Sequence, residues 1–172
     1  MQAAKAAEWQ NELAGVVRPQ AVKKDKGLDL NLFAPGERAY EYSQKIPNDP
    51  NVLMVGGHGN EKTIGGLDAK ALAAKIRQSP KWQANPGMPV QLIGCNTGSI
   101  FSKTIADDLA NELGAQVTAP NLLVWYGADG SLAVETGIPT DTGFKSGGVP
   151  GYFVPSHPSQ GGPVGLPVRP AR

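Results

Sequence analysis

A histidine and a cysteine, two side-chain types that carry nucleophilic catalysis, each follow an apolar segment of this chain. His58 lies in Val-Leu-Met-Val-Gly-Gly-His-Gly at 52–59, and Cys95 ends Pro-Val-Gln-Leu-Ile-Gly-Cys at 89–95. A thiol can act as a nucleophile and an imidazole as its general acid/base when the fold brings them together. Cys95 is the only cysteine, so a disulfide within the chain is excluded. We therefore predict a catalytic pair of His58 and Cys95.

The two apolar segments are predicted to be strands, Val52–Val55 and Val90–Ile93. Short runs of almost pure apolar residues are typical of strands covered on both faces. A helix pattern over 69–78 lies between them, and a strand–helix–strand unit implies parallel strands with a right-handed crossover. The functional crevice of an open parallel sheet lies beyond the carboxyl ends of its strands. We therefore expect the two reactive side chains to lie side by side.

Further helices and strands are predicted around this unit. The helices cover 2–14, 37–45, 69–78 with Asp68 as N-cap, and 101–113 closed by Gly114; the strands cover 28–32, 116–118, 121–126 in a hairpin with 131–135, and 152–154 at an edge. This order favours an α/β fold in three layers, a mostly parallel sheet flanked by helices. We divide the chain into an N-terminal helix and lead-in (1–50), a core (51–156) and a flexible tail rich in Gly and Pro (157–172).

Small residues surround both reactive side chains and leave room for a peptide backbone. They are Gly56, Gly57, Gly59, Gly94 and Gly98. The backbone N–H groups of Gly59 and Cys95 are candidates for an oxyanion hole. We also expect the N-terminal end of the 101–113 helix to lie near Cys95 and to favour its thiolate form.

The composition argues against several classes of partner. The net charge is +1 with 18% charged residues and no acidic or basic block, so neither nucleic acid nor an anionic membrane is expected as a partner. The apolar runs are too short for a membrane span, and the N-terminus lacks the pattern of a secretory signal. One cysteine and two histidines argue against a zinc site, and we expect no metal and no cofactor.

The segments around His58 and Cys95 resemble the corresponding segments of clan CD cysteine peptidases, the caspase-like enzymes. Gly-Gly-His-Gly-Asn at 56–60 and Leu-Ile-Gly-Cys-Asn at 92–96 are similar to the His and Cys blocks of the cysteine peptidase domains of bacterial RTX-type toxins. The resemblance extends over about residues 50–126, and its specificity depends on the two blocks.

This resemblance implies a caspase-like fold and a thiol protease that acts on a protein or peptide. It implies His58 as general acid/base, Cys95 as nucleophile and Gly59 as a contributor to the oxyanion hole, with no third catalytic residue. It also implies a processing or effector module of a larger toxin, secreted and acting in the cytoplasm of a host or target cell. A protein confined to the cytoplasm is the alternative.

Departures from the family narrow these expectations. The toxin peptidases carry basic clusters that bind inositol hexakisphosphate, whereas Lys and Arg are scattered here, so this activator is not expected. Asn-Thr-Gly follows Cys95 in place of the caspase sequence, so specificity for aspartate is not predicted and the substrate-binding residues stay unknown.

Alternatives stay open at this point. A binding or scaffold module with a buried Cys95, and a thiol-dependent amidase or transferase, fit the same residues. Trp125 and Tyr126 are typical of packing at a strand end, and a substrate pocket is the alternative. Asp129 is explained by turn chemistry at least as well as by contact with a basic substrate.

Overall fold

The structure is a computed structural model that describes residues 24–159. The predicted helix over 2–14 and the end of the tail lie outside these residues. The strands are β1 (Leu30–Asn31), β2 (Leu53–Gly56), β3 (Val90–Ile93), β4 (Val117–Pro120), β5 (Leu123–Tyr126), β6 (Leu132–Thr140), β7 (Gly143–Pro150) and β8 (Phe153–Ser156). The helices are α1 (Arg38–Ser43), α2 (Ala69–Gln78), α3 (Pro80–Ala84) and α4 (Ile105–Leu113).

The main sheet has five strands in the order β1-β2-β3-β4-β8. The first four are parallel, and β8 runs antiparallel to β4 at the edge. The register of β2 and β3 pairs Leu53 with Val90 and Gly56 with Ile93, so the two strands end level with each other. The prediction of an α/β fold with a mostly parallel sheet, and of parallel β2 and β3, is confirmed.

A second, antiparallel sheet has the order β5-β6-β7. The predicted hairpin of β5 and β6 is confirmed, with Leu123 opposite Glu135 and Tyr126 opposite Leu132. The strand β7 was not predicted. Pro139 and Pro150 lie within β6 and β7, and proline inside an apolar pattern argues against a strand.

The core has two parts because side chains alternate between the faces of the sheet. On one face, strand residues pack with the helices α2 to α4; buried members are Leu53, Val55, Leu72, Ile76, Leu92 and Leu109. On the other face, Met54 and Ile93 pack with Leu28, Ile46 and Val124. This second face is therefore covered by β5 and by the segment around α1. Within residues 24–159, no helix is long and apolar enough to cross a membrane.

The helix α2 begins and ends as predicted. The carboxylate of Asp68 accepts a hydrogen bond from the Ala71 N–H at 2.9 Å, which makes it the N-cap. Beyond Gln78, the structure adds the short helix α3, which was not predicted. Ser79 is its N-cap and Pro80 is its first residue, a position that proline favours.

The predicted start of the 101–113 helix is wrong, because α4 begins at Ile105. The side chain of Phe101 is 92% exposed and has no apolar face to join. Thr104 is the N-cap, and its N–H donates to the Asp107 carboxylate at 2.9 Å. This contact satisfies the backbone at a helix start and fixes the boundary there.

Candidate active site

The ends of β2 and β3 are in close contact through a glycine. A Cβ placed on Gly59 would lie 2.9 Å from the carbonyl oxygen of Cys95 and 2.9 Å from the carbonyl carbon of Gly94. Real Cβ atoms do not approach backbone atoms this closely, so the contact requires glycine. The structure therefore brings the His58 and Cys95 segments together, as the sequence predicts.

Hydrogen bonds hold the turn that contains Cys95. Asn96 has a φ of +56° and is the one non-glycine residue with a positive φ in the part of the chain that the structure describes. Its N–H donates to the Leu122 carbonyl at 3.0 Å, and the buried Thr97 hydroxyl donates to the Gly94 carbonyl at 2.7 Å. Asparagine tolerates this left-handed conformation better than most residues. These contacts thus fix the backbone on both sides of Cys95.

The sulfur of Cys95 is half-buried and lies against β5. The Val124 N–H donates to Sγ at 3.4 Å, and a backbone donor there can hold negative charge on the sulfur. The expected contribution of the α4 N-terminus is not seen in the hydrogen bonds. Its first two N–H groups donate to the carbonyls of Glu61 and Thr97, so the N–H donor to the sulfur comes from β5.

The imidazole of His58 is held by a carboxylate, that of Glu37. Its Nε2 lies 2.5 Å from Glu37 Oε1, and the other carboxylate oxygen accepts the Ala34 N–H at 2.8 Å. These two hydrogen bonds hold the pKa of Glu37 below its ordinary value. An ionised carboxylate only accepts hydrogen bonds, so Nε2 carries the proton and Nδ1 is the nitrogen left to exchange one.

Sequence reasoning missed Glu37 as a site residue, and the resemblance implied no third group. Glu37 is the N-cap of α1, in extended backbone just before the helix. Since β1 pairs directly with β2, the loop after β1 leads to the same sheet edge as His58. The sequence feature that could have identified Glu37 is its place shortly after β1. However, β1 has only two residues, which is too short for its pairing with β2 to be predicted from a sequence pattern.

Aromatic side chains form one wall of the site. The ring of Phe33 meets both the His58 ring and the Tyr126 ring edge to face, at centroid distances of 4.9 and 5.2 Å. The Tyr126 hydroxyl donates to the Ile93 carbonyl at 2.5 Å. Burial, and then the charge of Cys95, raise the pKa of Tyr126 far above its ordinary value. Tyr126 is therefore a neutral wall residue, which supports the pocket alternative weighed for it.

Two cavities flank the pair of reactive side chains. The first chamber, of about 250 Å³, is lined in part by Phe33, Tyr42, Trp125 and Tyr126. The second chamber, of about 490 Å³, is lined in part by Leu123, Phe144 and Asn96. Both are lined by His58, Cys95, Val124 and Trp125. The reactive residues therefore lie where two chambers of one cleft adjoin.

In the described part of the chain, the two candidate oxyanion donors make no hydrogen bond to other backbone groups. Within residues 24–159, the N–H groups of Gly59 and Cys95 donate no hydrogen bond, whereas the next N–H along, that of Asn60, donates to the Thr63 carbonyl at 2.9 Å. Free N–H groups beside a nucleophile can bind a developing oxyanion.

Within residues 24–159, no hydrogen bond joins the imidazole of His58 to Cys95 Sγ. Such contacts commonly tighten only when substrate binds.

Replacement of Glu37 by glutamine tests whether the carboxylate positions the imidazole. Glu37→Gln keeps the shape but removes the charge that fixes the proton on Nε2, so we expect kcat to fall about tenfold with little change in KM. The measurement is steady-state cleavage of a peptide substrate. Glu41→Gln, on the same helix and exposed, is the matched control and should cleave like the wild type. Equal kcat values for both variants would contradict the assignment.

The lowered pKa of Glu37 also predicts how stability depends on pH. A carboxyl whose pKa is lower in the folded state stabilises the fold above its unfolded value, near 4.5, and loses this contribution as the pH falls through the lowered value. The melting temperatures of the wild type and Glu37→Gln should therefore differ at neutral pH and converge in acid. A difference that persists at low pH would rule out the carboxylate as its source.

The described residues contain no cluster of three or more His, Cys, Asp or Glu side chains that could hold a metal ion.

No curated protein matches the chain. A family model described as a domain of unknown function, DUF8616, matches residues 28–134. The matched segment runs from the residues before β1 into β6 and includes Glu37, His58 and Cys95. The chain therefore belongs to the DUF8616 family.

Proposed function

We propose that this protein is a cysteine endopeptidase of caspase-like fold, in which Cys95 is the nucleophile and His58 the general acid/base. One observation carries the proposal: both side chains line the same two chambers, at the point where Gly59 packs on the backbone of Cys95. A nucleophile, a base and free N–H donors at one place are the parts that acyl transfer needs.

The reaction follows from these positions. His58 takes the thiol proton of Cys95 on Nδ1, the resulting thiolate attacks the scissile carbonyl carbon, and the N–H groups of Gly59 and Cys95 bind the oxyanion that forms. The C–N bond breaks as His58 gives its Nδ1 proton to the leaving amine, which leaves a thioester. Water then gives a proton to His58 and attacks the thioester, and the C–S bond breaks to regenerate the thiol and release the acid. Glu37 keeps the imidazole oriented in both steps.

The shape of the cleft favours an extended chain over a small amide. Chambers lie on both sides of the reactive pair, so residues on either side of a scissile bond find a wall to contact. Phe144, which is 58% exposed, extends the second chamber onto β7. A single small substrate would leave one chamber empty. The setting in a secreted bacterial toxin stays a prediction from the resemblance.

Chemical modification of the single cysteine tests the function without a variant. The protein is incubated with a library of peptides, and the new termini are mapped by mass spectrometry, before and after complete alkylation with iodoacetamide. Because Cys95 is the only thiol, alkylation reports on that residue alone. We expect discrete cleavage sites that disappear on alkylation, and alkylation of the folded protein at a rate typical of an accessible thiolate. Cleavage that persists after complete alkylation would overturn the proposal, and so would the absence of cleavage by the protein before alkylation.

A further inference from the structure

An arginine lies at the first chamber and, among the residues that the structure describes, has no counter-charge. Arg38 lines this chamber together with His58 and Cys95 and is exposed. Within residues 24–159, its guanidinium makes no ion pair and no side-chain hydrogen bond. Glu41, one turn further along α1, does not pair with it. The charge is therefore free to meet a ligand in the cleft.

Local structure gives no reason for a cation at this position. Arg38 is the first residue of α1, and the first turn of a helix favours acidic side chains over basic ones. The preceding carboxylate, Glu37, is already bound to His58 and to the Ala34 amide. Neither the helix dipole nor an ion pair explains Arg38.

The other walls of the first chamber select against a basic side chain. None of the described residues that line it is acidic, and its aromatic members are Phe33, Tyr42, Trp125 and Tyr126. Aromatic faces pack well against methylene groups, and a guanidinium can bind a carboxylate with two parallel hydrogen bonds. A volume of about 250 Å³ accommodates one side chain of this kind.

We propose that the first chamber binds an acidic side chain, glutamate or aspartate, of the substrate residue next to the scissile bond, with Arg38 as its counter-charge. This inference rests on the proposed peptidase function and adds a substrate class to it. The determinant lies on α1, far in sequence from the Cys95 block, which is why the residues after Cys95 did not predict it. Arg38 acts in specificity and takes no part in the bond changes.

Matched peptides test the selection. A peptide that the protein cleaves is resynthesised with Glu, Gln or Lys at each of the two positions that flank the mapped bond. At one of them, we expect kcat/KM for Glu to exceed that for Gln about tenfold, with Lys the poorest. The Glu/Gln ratio should fall to about one in Arg38→Gln and persist in Arg38→Lys, and Arg38→Glu should favour Lys. Added salt should lower the wild-type ratio, because the charge is exposed.

Controls separate this inference from the proposed function. Lys75→Gln removes one exposed positive charge on α2 that lines neither chamber and should leave the ratio unchanged. Cleavage that depends on Cys95 but shows a Glu/Gln ratio near one at both positions, or a ratio that Arg38→Gln does not alter, would overturn the role of Arg38 alone. If no peptide is cleaved in a Cys95-dependent way, both proposals are wrong.

Discussion

Replacement of Cys95 by alanine is expected to abolish cleavage, with kcat/KM reduced by about 10⁴-fold or more, because no other thiol can form the acyl intermediate. The fold should persist. Cys95 is half-buried and packs only at the margin of the smaller apolar cluster, so loss of its sulfur should cost about 1 kcal/mol or less of unfolding free energy. The measurements are peptide cleavage and a melting curve on the same sample.

The partner residue provides the second half of this prediction. His58→Ala should reduce cleavage to a similar extent, since the leaving amine then receives no proton from the enzyme. The chain offers a matched control in His157, the other histidine, which is exposed and lines neither chamber. His157→Ala should cleave at the wild-type rate. A folded Cys95→Ala protein that still cuts the same bonds would mean that the nucleophile lies elsewhere, and the peptidase assignment would fall.

The positions of the reactive pair were predictable because they depend on local patterns. The apolar runs that became β2 and β3 are short, almost purely apolar and separated by a helix with a clear N-cap at Asp68, and these features determine parallel pairing. Parallel pairing in turn places His58 and Cys95 at one edge of the sheet. Glycines mark the places where the two segments touch. These steps need no knowledge of distant contacts.

The residues that surround the reactive pair were not predictable in the same way. Glu37 and Arg38 follow the two-residue strand β1, which is too short for its place beside β2 to be read from alternation. The N–H of Val124 donates to Cys95 Sγ from a hairpin that covers the face of the main sheet away from the helices α2 to α4. The long pairing of β6 with β7 contains prolines and mostly exposed residues, so its pattern resembles a loop. Contacts between segments distant in sequence decided the positions of Glu37, Arg38 and the Val124 donor, whereas the hairpin of β6 and β7 is local and only its sequence pattern hides it.

Replacement of Gly59 by alanine is the second prediction with a large effect, and it tests the contact that joins the two segments. The new Cβ would meet the Cys95 carbonyl oxygen and the Gly94 carbonyl carbon at 2.9 Å, and backbone atoms cannot move aside as a flexible side chain can. The N–H of residue 59 must therefore shift relative to the oxyanion. We expect kcat to fall about 10²-fold or more, with kcat/KM falling equally.

Two further variants make this test specific. The added Cβ would also meet Thr97 Cγ2 at 2.8 Å, and Thr97→Ser removes that methyl group while it keeps the hydroxyl that binds the Gly94 carbonyl. Because the backbone contacts remain, Thr97→Ser should not restore activity to Gly59→Ala. Gly114→Ala, at the left-handed C-terminus of α4, should lower the melting temperature but leave kcat unchanged. Full activity in Gly59→Ala, or rescue by Thr97→Ser, would show that the backbone contact between Gly59 and Cys95 does not set the geometry of catalysis.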